Sequence, residues 1–154
     1  MKIKACLFCA VAFLTSSTVL AVAEVNRFVQ RLRLSATQTA VVAEGDLEAR
    51  SLGSYSVRVY STEDVQPGDD TTFFTAGVIR ERDGFIERTA LVDINRDGRD
   101  ELVVIIRSAG SGSYLSAHAF SFGKTKITLA AAVADLSPHS DPIVELRKIK
   151  KKRK

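Results

Sequence analysis

Along most of the chain, apolar and polar residues alternate over short stretches, and Gly, Pro, Asp and Ser separate one stretch from the next. Arg31-Leu32-Arg33-Leu34 alternates with period two, as does Tyr55-Ser56-Val57-Arg58-Val59-Tyr60. Thr39 to Ala43 is a β-prone run that ends at Glu44-Gly45-Asp46. Period two matches the pleat of a strand with one face buried and one face wet. After the breaker Gln66-Pro67-Gly68-Asp69-Asp70, the segment Thr72 to Arg80 resumes the pattern. Arg82-Asp83-Gly84 then predicts a hairpin turn, with Phe85 to Val92 as its returning strand. Leu102-Val103-Val104-Ile105-Ile106 does not alternate at all, which predicts a central strand covered on both faces. Tyr114 to Phe122 and Lys126 to Ala132 predict a further hairpin turning at Gly123. About eight strands at this spacing predict an all-β chain folded as an antiparallel β-sandwich.

Helical signals are confined to the ends. Glu24 to Gln30 has the pattern of a single turn. Near the C-terminus, Asp141 can cap a short helix whose first residue is Pro142. Ile143, Leu146 and Ile149 would share one face, and the cations that follow would sit at the negative end of the helix dipole.

The first 23 residues read differently. Lys2 and Lys4 precede the apolar stretch Ala5 to Leu14, and Val19-Leu20-Ala21-Val22-Ala23 offers an A-x-A cleavage site. This is the order of a secretory signal, so cleavage is expected after Ala23. Both cysteines, Cys6 and Cys9, fall inside it, and the exported chain would carry no disulfide. Three segments are expected: a signal over 1–23, a β-domain over 24–146 and a basic tail over 147–154.

Charge sharpens that division. The formal net charge is +4. Seven of the last eight residues are Lys or Arg, whereas residues 24–146 carry 13 positive and 18 negative side chains, a net of −5. The body is acidic and the tail basic. Nucleic-acid binding inferred from the high isoelectric point would average two unlike parts, so no nucleic-acid partner is expected. The tail is either a solvated end or a contact for an anionic envelope surface.

Two segments could carry chemistry. In Asp93-Ile94-Asn95-Arg96-Asp97-Gly98-Arg99-Asp100-Glu101, oxygen-bearing residues stand at positions 1, 3 and 5, Gly at 6 and a carboxylate at 9. Asp93, Asn95, Asp97 and Glu101 could therefore hold calcium, although Arg96 and Arg99 would repel it. The same residues also suit an Asx-type turn that needs no metal. Ser108-Ala109-Gly110-Ser111-Gly112-Ser113-Tyr114 is a permissive Gly/Ser loop carrying several hydroxyls and one Tyr, placed directly after the most hydrophobic strand. It lacks the third glycine of a dinucleotide loop and the G-x-S-x-G of a serine hydrolase. Only His118 and His139 could serve as catalytic bases, and neither has a nucleophile or metal-ligand pattern near it in sequence.

From Leu91 to Phe120 the sequence resembles the periplasmic inhibitors of i-type (invertebrate-type) lysozyme of Gram-negative bacteria. The carrying residues are Val92-Asp93-Ile94-Asn95-Arg96-Asp97-Gly98, Glu101-Leu102-Val103-Val104 and Arg107 to Tyr114, with Gly53 to Arg58 also fitting. The resemblance covers most of Ser51 to Thr128 and is absent from the lysine-rich tail. It implies a β-sandwich without catalytic activity, serving evasion of host defence, whose S-G-x-Y loop enters a lysozyme's substrate cleft. Here that loop is Ser111, Gly112, Ser113 and Tyr114, with Ser111 and Tyr114 as the contacting pair. The implied partner is an i-type lysozyme, no cofactor is required, and a homodimer is compatible with the pattern. The competing expectation is a calcium-stabilised exported β-domain that binds cell-wall glycan or another envelope protein.

Overall fold

The computed structural model describes residues 26–152 apart from Asp64 and Pro67. The expected signal, 1–23, lies outside the described residues. Eight strands and one helix follow in order: β1 Val29–Arg33, β2 Gln38–Glu44, β3 Leu52–Ser61, β4 Phe73–Asp83, β5 Phe85–Val92, β6 Glu101–Arg107, β7 Leu115–Phe122, β8 Ile127–Leu136 and α1 Pro142–Lys152. Two antiparallel sheets, β1-β2-β3-β4 and β5-β6-β7-β8, each run in sequence order. No helix among the described residues is long and apolar enough to cross a membrane.

The inward positions of the two sheets form the sandwich core: Ala40, Val42, Tyr55, Val57 and Val59 on one side, Ile86, Leu102, Val104, Ile106 and Phe120 on the other. Strand β6 is buried on both faces, as its unbroken apolar run predicts. Its alternate residues Val103 and Ile105 join Ile94, Leu115, Ala117, Ala119, Ala131 and Leu146 in a second core beneath α1. The molecule thus has three layers: sheet, sheet and helix. Asp141 Oδ1 accepts the Ile143 N–H at 2.9 Å and Pro142 opens the helix, the predicted cap. The helix continues to Lys152, past the position where the basic tail was expected to begin.

Two expectations are corrected. Arg82-Asp83-Gly84 is not a hairpin, because β4 and β5 belong to different sheets. The chain turns a corner there instead. The Arg82 side chain is wholly buried and donates to the carbonyls of Ala49 (3.1 Å), Arg50 (2.8 Å), Ser54 (3.0 Å) and Gly84. A guanidinium engaged on four carbonyls through charge-assisted hydrogen bonds holds the corner together. Gly84 has φ of +103°, and a Cβ there would lie 1.9 Å from the Arg107 carbonyl oxygen, so only glycine fits. The second correction is at the start: residues 26–28 are not helical, and Val29 and Gln30 open β1. Thr89 Oγ1 donates to Gln30 Oε1 at 2.6 Å, which ties β1 to β5 across the sandwich.

Candidate functional site

The Gly/Ser segment joins β6 to β7 and leaves the end of the sandwich as a narrow, exposed loop. Its base is closed by Ser108 N–H donating to the Tyr114 carbonyl at 2.9 Å. Its tip is closed by Ser113 N–H donating to the Gly110 carbonyl at 3.0 Å. Gly110 N–H also donates to Ser108 Oγ at 3.2 Å. Ser111 and Gly112 are exposed at the tip, and Tyr114 is 52% exposed although it abuts a buried strand. The Tyr114 ring lies so close over Gly112 that a Cβ there would come within 2.3 Å of it. Gly112 therefore lets the ring fold down beside the tip. The four residues singled out in the sequence lie in this loop, and Ser111 and Tyr114 are both exposed.

Two neighbouring segments converge on this end. Gly84 N–H donates to the Ser51 carbonyl at 2.8 Å and its Cα abuts Arg107, so the β4–β5 corner links the 45–51 loop to the base of the 108–114 loop. In the 45–51 loop, Glu48 accepts from Ser54 N–H at 2.5 Å and from Ser54 Oγ at 2.7 Å, and these bonds hold its carboxyl below its ordinary pKa. Arg50 lies over the Phe85 ring at 5.2 Å. Leu47 stands fully exposed at the tip with φ of +60°. Glu44 is buried and bridges the sheets, Oε1 accepting the Ile86 N–H at 2.7 Å and Oε2 the Phe28 N–H at 3.3 Å. Glu44, Glu48 and Arg82 support this end of the molecule, yet the sequence pattern does not single them out. For Glu44 and Arg82 the only signal is a charged residue on the inward parity of a strand, which becomes visible once pairing is known, and Glu48 in its loop carries none.

The other candidate segment, 93–101, joins β5 to the opposite end of β6. A seven-residue strand, about 20 Å long, separates the two loops. Asp93 Oδ1 accepts the N–H groups of Arg96 (2.5 Å) and Asp97 (3.2 Å), and Oδ2 accepts that of Gly98 (2.8 Å). Burial pushes the Asp93 carboxyl upward, but the backbone donors outweigh it and its pKa is lowered. Asn95 Nδ2 donates to Asp97 Oδ2 at 3.0 Å and Glu101 Oε1 at 2.7 Å, while Glu101 Oε2 accepts the Ile94 N–H at 3.0 Å. The carboxylate oxygens of Asp93, Asp97 and Glu101 accept from the loop's own donors, whereas Asn95 Oδ1 is buried without a hydrogen-bond partner. Among the described residues, no group of three or more His, Cys, Asp or Glu is arranged to hold a metal ion. His118 lies inside the sandwich, with the Tyr55 hydroxyl 2.7 Å from its Nδ1, and His139 is exposed between β8 and α1.

The chain matches the family PliI, periplasmic lysozyme inhibitor of I-type lysozyme, over residues 26–150. It belongs to that family. No curated protein matches. Among solved structures, the chain is similar to PliI of Aeromonas hydrophila, with 40% identity and a TM-score of 0.72, covering 77% of this chain and 98% of that one. It is also similar to Aeromonas hydrophila PliI in complex with Meretrix lusoria lysozyme, with 39% identity and a TM-score of 0.70, covering 78% and 95%. The eight-stranded sandwich expected of a PliI protein is the fold found here.

Proposed function

We propose that this protein works in the periplasm as an inhibitor of I-type lysozyme, that it seats the Ser111-Gly112-Ser113-Tyr114 loop in the enzyme's substrate cleft, and that it catalyses no reaction itself. The observation that carries this is the loop: exposed, narrow and closed by its own hydrogen bonds. It stands in a chain 39% identical to a PliI solved in complex with a lysozyme.

The chemistry fits a glycosidase target. Such enzymes flank the scissile bond with two carboxyl groups, one of them ionised. Hydroxyls of Ser111 and Tyr114 brought against those groups would make charge-assisted hydrogen bonds in a water-excluded cleft. The Tyr114 ring supplies apolar area at little entropic cost, because it has few rotatable bonds. No metal enters this scheme, and the 93–101 loop is held by its own hydrogen bonds.

Titration of an I-type lysozyme in a lytic assay, beside unfolding curves for each variant, tests the proposal. Ser111→Ala is expected to cost about 1.5–3 kcal/mol of binding, or roughly 10- to 150-fold in affinity. Tyr114→Ala costs at least as much, and Tyr114→Phe falls between it and the wild type. Neither residue supports a buried cluster, so stability should hardly move. Folded Ser111→Ala and Tyr114→Ala proteins that inhibit as well as wild type would remove the loop from the mechanism.

A further inference from the structure

We infer that Glu87 and Arg107 form a clamp that sets the shape of the 108–114 loop before any lysozyme is met, which makes both positioning residues for inhibition. This rests on the inhibitory role proposed for the loop. Arg107 is the last residue of β6, immediately before the loop. Its Nη1 donates to the Ser113 carbonyl at 3.1 Å, reaching across the loop's base to the residue just before Tyr114. Its Nε is paired with Glu87 Oε2.

Glu87 is placed for this by an irregularity in its own strand. The β5–β6 register runs Phe85↔Arg107 and Ile86↔Ile106, then slips, so that Arg88 and not Glu87 faces Ile105. The unpaired residue at such a bulge is re-aimed relative to regular pleating, and bulges gather next to functional sites. Here the re-aimed carboxylate meets the guanidinium at the base of the loop.

The carbonyl that Arg107 holds belongs to the most constrained residue of the loop. Ser113 has φ of +46°, the left-handed region that a residue with a Cβ avoids. A lone residue keeps that conformation only where its surroundings over-determine it. Ser113 is fixed on both sides, its N–H by the Gly110 carbonyl and its own carbonyl by Arg107. Its left-handed backbone sets the direction in which Tyr114 leaves the loop relative to Ser111. A planar guanidinium can hold a carboxylate and a carbonyl at once, whereas an ammonium lacks that fixed fork. The Glu87–Arg107 pair is partly exposed, with side chains 30% and 27% accessible, and pairs of that kind contribute little to global stability. Its consequence is local. Once Arg107 releases Ser113, the loop spreads over more conformations, and affinity falls by the fraction that remains competent.

The test compares wild type with Arg107→Ala, Arg107→Lys, Glu87→Gln and, as a reference, Ser111→Ala. Three quantities are read: the unfolding midpoint, the inhibition constant on an I-type lysozyme, and amide hydrogen exchange of residues 109–114 in the free protein. If a competent loop falls to a tenth of the population, Arg107→Ala weakens inhibition about tenfold and speeds loop exchange with little change in unfolding. Arg107→Lys should recover part of the loss, and Glu87→Gln should move exchange and inhibition in the same direction. Ser111→Ala should weaken inhibition while leaving exchange in the free loop as in wild type. Clamp variants that lose inhibition without faster exchange would make Arg107 a direct contact and overturn the clamp. Clamp variants that keep full inhibition would overturn it too, while a Ser111→Ala loss in the same experiment would leave the loop's own role standing. Should Arg107→Ala fail to fold, Glu87→Gln alone separates the same outcomes.

Discussion

His118 shows how one side chain couples this fold to pH. Its ring lies between the sheets, stacked at 6.0 Å on Tyr55, whose hydroxyl is 2.7 Å from Nδ1. Burial lowers the His118 pKa, Arg80 lowers it further, and Glu81 opposes them weakly. Burial likewise pushes the Tyr55 phenol upward, so its hydroxyl stays protonated beside the imidazole. The sign follows directly. Below about pH 6.5 the unfolded chain takes up a proton that the folded chain refuses, so stability is full above that value and falls with further acid until the lowered folded pKa is passed. Urea unfolding at about pH 7.5 and about pH 5.5 should show a lower midpoint in acid. In His118→Gln, which keeps an acceptor for Tyr55 but cannot titrate, most of that difference should vanish; an unchanged acid loss would assign it to other groups. At this scale the sequence was least informative. Pattern alone put His118 on one strand and Tyr55 on another, but only the register His118↔Val104 and Tyr55↔Glu44 turns both into one interior.

At the level of elements, the strands were legible because each needs only its own neighbours: period two for the half-buried ones, an unbroken apolar run for β6. What local pattern could not show is which strand pairs with which. Arg82-Asp83-Gly84 has the composition of a tight turn, but β4 runs through Asp83 and only Gly84 bends before β5, so with the buried Arg82 the segment is a passage between sheets. The 108–114 loop was legible as residues, since Gly110, Gly112 and Tyr114 announce a narrow loop. Its support was not, because Glu87 reaches Arg107 from another strand through a bulge. The 93–101 connection is the instructive ambiguity: the same oxygens satisfy a calcium pattern and an Asx turn. In the folded chain Asp93 accepts three backbone N–H groups and Asn95 bridges Asp97 to Glu101. A cation would have to displace these bonds and tolerate Arg96 and Arg99 nearby. Thermal unfolding with added calcium and with a chelator should therefore give equal midpoints. A rise of several degrees with calcium would show a metal site in place of the turn.

The whole molecule is a sandwich with a lid. A two-sheet sandwich can leave its outer faces to water, with polar residues alternating there. The β5–β8 sheet departs from that rule, because Val103, Ile105, Leu115, Ala117, Ala119 and Ala131 put apolar side chains on its outer face. Helix α1 covers them, and Leu146, with no exposed surface, is its central contact. The Arg147 side chain also reaches the Asp93 carbonyl at 3.3 Å, tying the helix to the 93–101 loop. With no cysteine among the described residues, this packing is what secures the third layer. The basic end and the apolar face of α1 should then separate cleanly under truncation. Removing residues 150–154 leaves Leu146 and the first two helical turns in place, so the unfolding midpoint should stay near that of the full chain. Leu146→Ala should cost about 2–5 kcal/mol, the range for a fully buried leucine. Removing residues 142–154 uncovers the apolar face altogether, and that chain should be strongly destabilised and prone to associate. Circular dichroism, denaturant unfolding and light scattering on the three variants supply the comparison. A chain lacking residues 142–154 that remained monomeric and as stable as the full protein would show that the sandwich stands without its helix.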